Sequence, residues 1–108
     1  MAHILVAEDD ATTREMIGGI LKKQGYLVSY ASDGMRALSA LKKRKFELLL
    51  LDIWMPKMSG LGLIGTLHGE KHIPKIIVMT SDKTSDTVLR SLRGQVYQFL
   101  SKPFEANT

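Results

Sequence analysis

Cysteine is absent from the 108 residues. That excludes disulfide staples, thiol nucleophiles and cysteine-ligated metals, leaves stability to packing, and suits a reducing compartment. Long apolar runs are missing too: no stretch approaches the roughly 20 residues needed to cross a bilayer, and the opening Met1-Ala-His-Ile carries no basic leader. The expectation is a cytoplasmic protein with no membrane contact. Aromatic residues are only 6% of the chain, and none interleaves with the basic clusters Lys22-Lys23 and Lys42-Lys43-Arg44-Lys45 to stack bases. The net charge of +4 is therefore read as cations at helix C-termini, where they favour the dipole, and not as a direct nucleic-acid interface. Proline occurs at 56, 74 and 103 only, each bordering an apolar segment. A chain of this length holds one core, so residues 1–108 are read as a single domain, the front of a longer protein.

What is present is an alternation of short continuous apolar runs with helical spacing, the pattern of a parallel sheet with helices on both faces. Strands are expected at His3-Ile-Leu-Val-Ala7, Leu27-Val-Ser-Tyr-Ala31, Glu47-Leu-Leu-Leu-Leu51, Lys75-Ile-Ile-Val-Met79 and Tyr97-Gln-Phe-Leu-Ser101. A first helix should run from about Ala11 to Gln24, with Met16, Ile17, Ile20 and Leu21 on one stripe and Gly25 in the left-handed position that ends it. Ser32 or Asp33 can cap a second helix with Ala37, Leu38 and Leu41 inward. A third, from about Leu61 to His68, should be soft, because Gly62 and Gly65 each cost about 1 kcal/mol relative to alanine. A fourth is expected from about Ser85 to Arg93, carrying Val88, Leu89 and Leu92. Only Phe104-Glu-Ala-Asn-Thr108 remains for a fifth helix, so that cover is read as truncated or missing, which would leave apolar surface inviting dimerisation.

Chemistry gathers at the strand ends, where ligands bind in open α/β sheets. Asp52 closes a greasy strand and opens the turn Asp52-Ile-Trp-Met-Pro56, which ends at Gly60. Glu8-Asp9-Asp10 follows the first strand, Thr80 the fourth and Lys102 the fifth. Adjacent carboxylates repel by about 1 kcal/mol per pair at about 4 Å in water and about 4 in a shielded cleft. Such a group wants a cation, and an all-oxygen set with few carboxylates suits Mg²⁺ better than Ca²⁺. Capping of the first helix accounts for one of Glu8, Asp9 and Asp10 but not for all three. Asp52 alone could be an ordinary polar strand terminus. Beside a lysine and a threonine able to bind phosphate, it becomes a candidate nucleophile toward phosphorus. His3, His68 and His72 have no metal-ligand spacing with the acidic group, and Met55 and Met58 are read as packing residues.

Glu8-Asp9, Asp52-x-x-Met55-Pro56-x-x-x-Gly60, Thr80-Ser81 and Lys102-Pro103-Phe104, in this order and at these intervals, resemble a response-regulator receiver domain over nearly the whole chain. The resemblance implies a doubly wound, flavodoxin-like five-stranded parallel sheet of order 2-1-3-4-5. It implies that Asp52 accepts a phosphoryl group from a histidine kinase, a phosphotransfer protein or a small phosphodonor. Asp9 and Asp52 would ligate Mg²⁺ directly, Glu8 through water, and Trp54 through its backbone carbonyl. Lys102 would hold a phosphoryl oxygen next to a Lys102-Pro103 bond that the family commonly keeps cis. Thr80 would swing to the new phosphate and Phe99 turn inward behind it, altering the surface of the fourth helix and fifth strand.

The chain also departs from the family pattern. In the family the two positions held here by Trp54 and Asp82 flank the path of hydrolytic water, and these residues are expected to set the lifetime of the phosphoryl group. The turn before the fifth strand, Arg93-Gly-Gln-Val-Tyr97, has Gln95 where a glycine is expected. Two other function classes compete with a receiver that catalyses only its own phosphorylation and dephosphorylation. One is a phosphorylation-independent interaction or dimerisation domain, against which Asp9, Asp52, Thr80 and Lys102 argue. The other is a haloacid-dehalogenase-like phosphatase, which wants an aspartate as general acid where Trp54 stands.

Overall fold

The computed structural model of the protein describes residues 2–70, 72–80, 90 and 92–101, with Thr80 and Ser101 described in backbone only. Its element order is β1 (His3–Ala7), α1 (Ala11–Lys23), β2 (Leu27–Ala31), α2 (Gly34–Lys43), β3 (Leu48–Asp52), α3 (Gly60–Leu67), β4 (Lys75–Thr80) and β5 (Gln98–Ser101). The strands form one sheet in the order β2-β1-β3-β4-β5, parallel throughout. This is the doubly wound arrangement that the alternation of runs predicts. The expected fourth helix falls on a segment of which only Arg90, Leu92 and Arg93 are described, and the expected truncation of a fifth helix lies outside the described residues.

The continuous apolar runs are explained by the sheet's two covered faces, to which successive strand residues point in turn. Leu5 and Ala7 of β1, Leu49 and Leu51 of β3, and Ile76 and Val78 of β4 pack with Ala37 and Leu38 of α2 and with Leu63, Ile64 and Leu67 of α3. Ile4 and Val6, Leu50 and Met79 face the other way and meet Ile17 of α1. Burying a leucine such as Leu49 or Leu51, both fully enclosed, contributes about 1.5–3 kcal/mol relative to exposure. The face carrying α2 and α3 therefore holds the larger cluster, and it lies beneath the loop that follows Asp52.

Helix ends set the loops that matter. Asp10 caps α1, its carboxylate accepting from the Thr13 backbone N–H at 2.8 Å and from the Thr13 hydroxyl at 2.6 Å. Asp33, not Ser32, caps α2 through the Arg36 N–H at 2.8 Å. Ser59 caps α3 through the Gly62 N–H at 3.1 Å, so this helix starts one residue earlier than its apolar spacing suggests. Lys22 and Lys23, and Lys42 and Lys43, stand in the last turns of α1 and α2, as the dipole argument expects. The turn after Leu92 is made by Gly94, at φ 86°, with Gln95 N–H donating to the Leu92 carbonyl at 3.0 Å. The glycine needed there is thus supplied one position earlier than Gln95.

Candidate functional site

Asp52 is the last residue of β3, paired in register with Met79 of β4, while Ala7 at the end of β1 pairs with Leu51. The register brings the residues that follow β1 beside Asp52 at the C-terminal edge of the sheet. One oxygen from each of Glu8, Asp9 and Asp52 lies within 4.8 Å of one from each of the other two. Glu8 is 1% and Asp52 7% exposed, whereas Asp9 faces solvent. The capping alternative is thereby divided among the residues: Asp10 serves α1, and its two predecessors serve the cluster.

Backbone geometry holds each member. The Glu8 N–H donates to the Ala31 carbonyl at 3.0 Å, continuing the β1–β2 ladder past the strand end. The Trp54 N–H donates to Asp52 Oδ1 at 3.2 Å, fixing the carboxylate from its own turn. Arg14 reaches back from the first turn of α1, its Nη1 donating to the carbonyl of Glu8 at 2.8 Å and of Asp9 at 3.4 Å. The motif reading missed Arg14. A signal was available, since a cation in the first turn opposes the helix dipole and needs another reason to be there.

The donor set fits a hard divalent cation. It is all carboxylate, two of its three members are buried, and the groups lie too close together to carry their charge without cost. Among the described residues it is the one group of three or more histidine or carboxylate side chains placed closely enough to hold a metal. Trp54 lies at the rim, 48% exposed, next to Ile53, which is buried in the core. Met55 is buried and Met58 packs against the same core, as packing residues should.

Thr80 ends β4, one residue beyond the partner of Asp52, and its backbone pairs with Ser101. Phe99 pairs with Val78 and is half-buried against the main core. The Thr80 side chain, Asp82 and Lys102, together with the Lys102-Pro103 bond, lie outside the described residues.

Residues 4–108 match the response regulator receiver domain family. The transcription factor SKN7 of Saccharomyces cerevisiae is 32% identical over 94% of this chain, and the DNA-binding response regulator MtrA of Mycobacterium tuberculosis 31% identical over 95%. The chain spans 16% of the length of the first and 45% of the second. Among solved structures, the chemotaxis protein CheY4 of Vibrio cholerae superposes with a TM-score of 0.88 at 26% identity, covering 99% of this chain and 91% of that one. The receiver domain of NtrX from Brucella abortus superposes with a TM-score of 0.85 at 29% identity, covering 96% and 88%. With the acidic cluster, the sheet order and the match over residues 4–108 all in agreement, the chain belongs to the response-regulator receiver domains of two-component signalling.

Proposed function

We propose that the protein is the phosphoacceptor module of a phosphorelay, in which Asp52 takes a phosphoryl group from the phosphohistidine of a histidine kinase or phosphotransfer protein. The observation that carries this reading is the convergence of Glu8, Asp9 and Asp52 at the strand ends of a family member. Asp9 and Asp52 would hold Mg²⁺ directly, Glu8 through water, and the Trp54 backbone carbonyl would supply a further oxygen. Bound there, Mg²⁺ offsets the clustered negative charge and attracts the phosphoryl oxygens.

The other roles belong to the chain. An Asp52 oxygen attacks phosphorus, and the P–N bond to the donor imidazole breaks. Lys102 offers its ammonium to a phosphoryl oxygen, and the Thr80 hydroxyl bonds another. Phe99 follows Thr80 inward, so that the surface of the fourth helix and β5 reports the added charge. Trp54 and Asp82 govern access of hydrolytic water, and no diffusible substrate is turned over. Residues 1–108 act as one cytoplasmic receiver, with the output carried by a partner or a further domain. The described residues contain no helix long and apolar enough to cross a membrane.

The test is intact-mass analysis after incubation with Mg²⁺ and acetyl phosphate, or with a phosphorylated kinase. One phosphoryl adduct is expected, lost in Asp52→Asn and without Mg²⁺. No adduct from either donor would leave the phosphorylation-independent interaction domain as the better account.

A further inference from the structure

The loop between Asp52 and α3 contains a strained turn. Lys57 is the single non-glycine among the described residues with positive φ, at 68°, and Met58 N–H donates to the Pro56 carbonyl at 2.7 Å. An i to i+2 bond across a residue of positive φ is a γ-turn, an uncommon and strained conformation for an L residue. Such strain persists only where surrounding structure over-determines it. The near end of the loop is tied by the Gly60 N–H, which donates to the Ile53 carbonyl at 2.7 Å. The turn itself is met by α2.

Two independent contacts come from the cap and the first residue of α2. Gly34 lies so close to Met58 that a Cβ on it would overlap the Met58 carbonyl oxygen and crowd its carbonyl carbon, both backbone atoms that cannot yield as a flexible side chain can. Beside it, Asp33 is 4% exposed. Its Oδ1 accepts the capping bond from Arg36 N–H, and its Oδ2 faces Lys57 Nζ at 3.8 Å and Arg36 Nε at 3.4 Å. The lysine in the unfavourable conformation is thus the one whose ammonium reaches α2, and the next residue is the one on which α2 rests.

We infer that the Asp33-Gly34 step at the start of α2 is a positioning element for the phosphoacceptor loop, clamping Lys57 and Met58 so that Asp52 and Trp54 stay arranged for a divalent cation. This rests on the reading of Glu8, Asp9 and Asp52 as a Mg²⁺ site, and deepens it by assigning part of the metal affinity to a helix that supplies no ligand. Residues behind metal ligands typically change affinity by about 10- to 100-fold when altered. Gly34→Ala, which forces the Met58 backbone to move, should therefore weaken Mg²⁺ binding by roughly tenfold. Lys57→Met keeps the turn but removes a half-exposed ion pair, and should weaken it by about two- to fivefold. Lys57→Arg restores the charge and should bind as wild type.

Mg²⁺ affinity is read on the unphosphorylated protein by titration calorimetry and by Trp54 fluorescence, with melting temperature measured alongside. The clamp predicts weakened affinity in Gly34→Ala and Lys57→Met and recovery in Lys57→Arg, with Lys57→Met still folded and melting within about 8 °C of wild type. Variants that bind Mg²⁺ within error of wild type would overturn the clamp alone. A wild-type protein that binds no Mg²⁺ would overturn the metal site and the clamp with it. If Gly34→Ala does not fold, Lys57→Met and its arginine counterpart decide the matter, since Lys57 is exposed and its replacement leaves the core intact.

Discussion

Replacing Asp52 by asparagine should stabilise the metal-free protein. Oxygens of Glu8, Asp9 and Asp52 lie within 4.8 Å of one another, and a pair of unit charges at that separation repels by about 1 kcal/mol in water and about 3.5 at the effective dielectric of a protein surface. Asp9 is exposed, so its pair with Asp52 belongs near the lower figure. Glu8 and Asp52 are both buried, and their pair belongs nearer the upper. Asparagine keeps an oxygen able to accept the Trp54 N–H. Bound water and local relaxation offset part of the repulsion, leaving a gain of at least about 1 kcal/mol, or roughly 4–8 °C for a domain of this size. Circular-dichroism melts in chelator should show Asp52→Asn above wild type. Added Mg²⁺ should close or reverse the gap, because an ion held by the intact carboxylate set would stabilise it by mass action. A variant that melts at or below wild type in chelator, or a gap indifferent to Mg²⁺, would refute the electrostatic account.

Trp54→Asn, which removes a half-exposed ring beside Asp52, should speed loss of the phosphoryl group by about tenfold, a barrier change of about 1.4 kcal/mol, and an unchanged rate in a single-turnover decay would sink the idea. Gly60→Ala places a Cβ at 2.6 Å from the Asp52 carbonyl oxygen and 2.8 Å from Ile53 Cα, and should cost about 1–3 kcal/mol in urea unfolding. Glu47 is held below its ordinary carboxylate value of 4.5, chiefly by the His3 backbone N–H at 2.7 Å. A lowered folded value means that its contribution is present above pH 4.5 and fades as pH falls through the folded pKa. The acid limb of the stability profile should therefore be shallower in Glu47→Gln, and coincident limbs would count against the bond.

The fold was legible because its central strands β1, β3 and β4 are near-continuous apolar runs, as a doubly covered sheet requires, and because Gly25 and Asp33 punctuate helices as local chemistry requires. The acidic site was legible because each carboxylate ends or follows a strand, so topology alone collects them. The loop clamp was not. A lysine carries no sign that it will adopt positive φ, and Gly34 reads as an ordinary helix start until Met58, 24 positions on, is seen against it. Arg14 was similarly hidden, since it touches the acidic turn through carbonyl groups and not through side chains.

The sheet's two unequal packing clusters have a consequence for how this chain can change. Leu5 and Val6 are neighbours in sequence yet belong to different clusters, one beneath α2 and α3 and the other beneath α1. Substitutions that share no partners tend to add, whereas those within one packed group are coupled. Epistasis in the core should therefore follow strand parity more than distance along the chain. The face under α1 can drift without consulting the face that supports the phosphoacceptor loop, and a library that varies one parity at a time would sample each half separately.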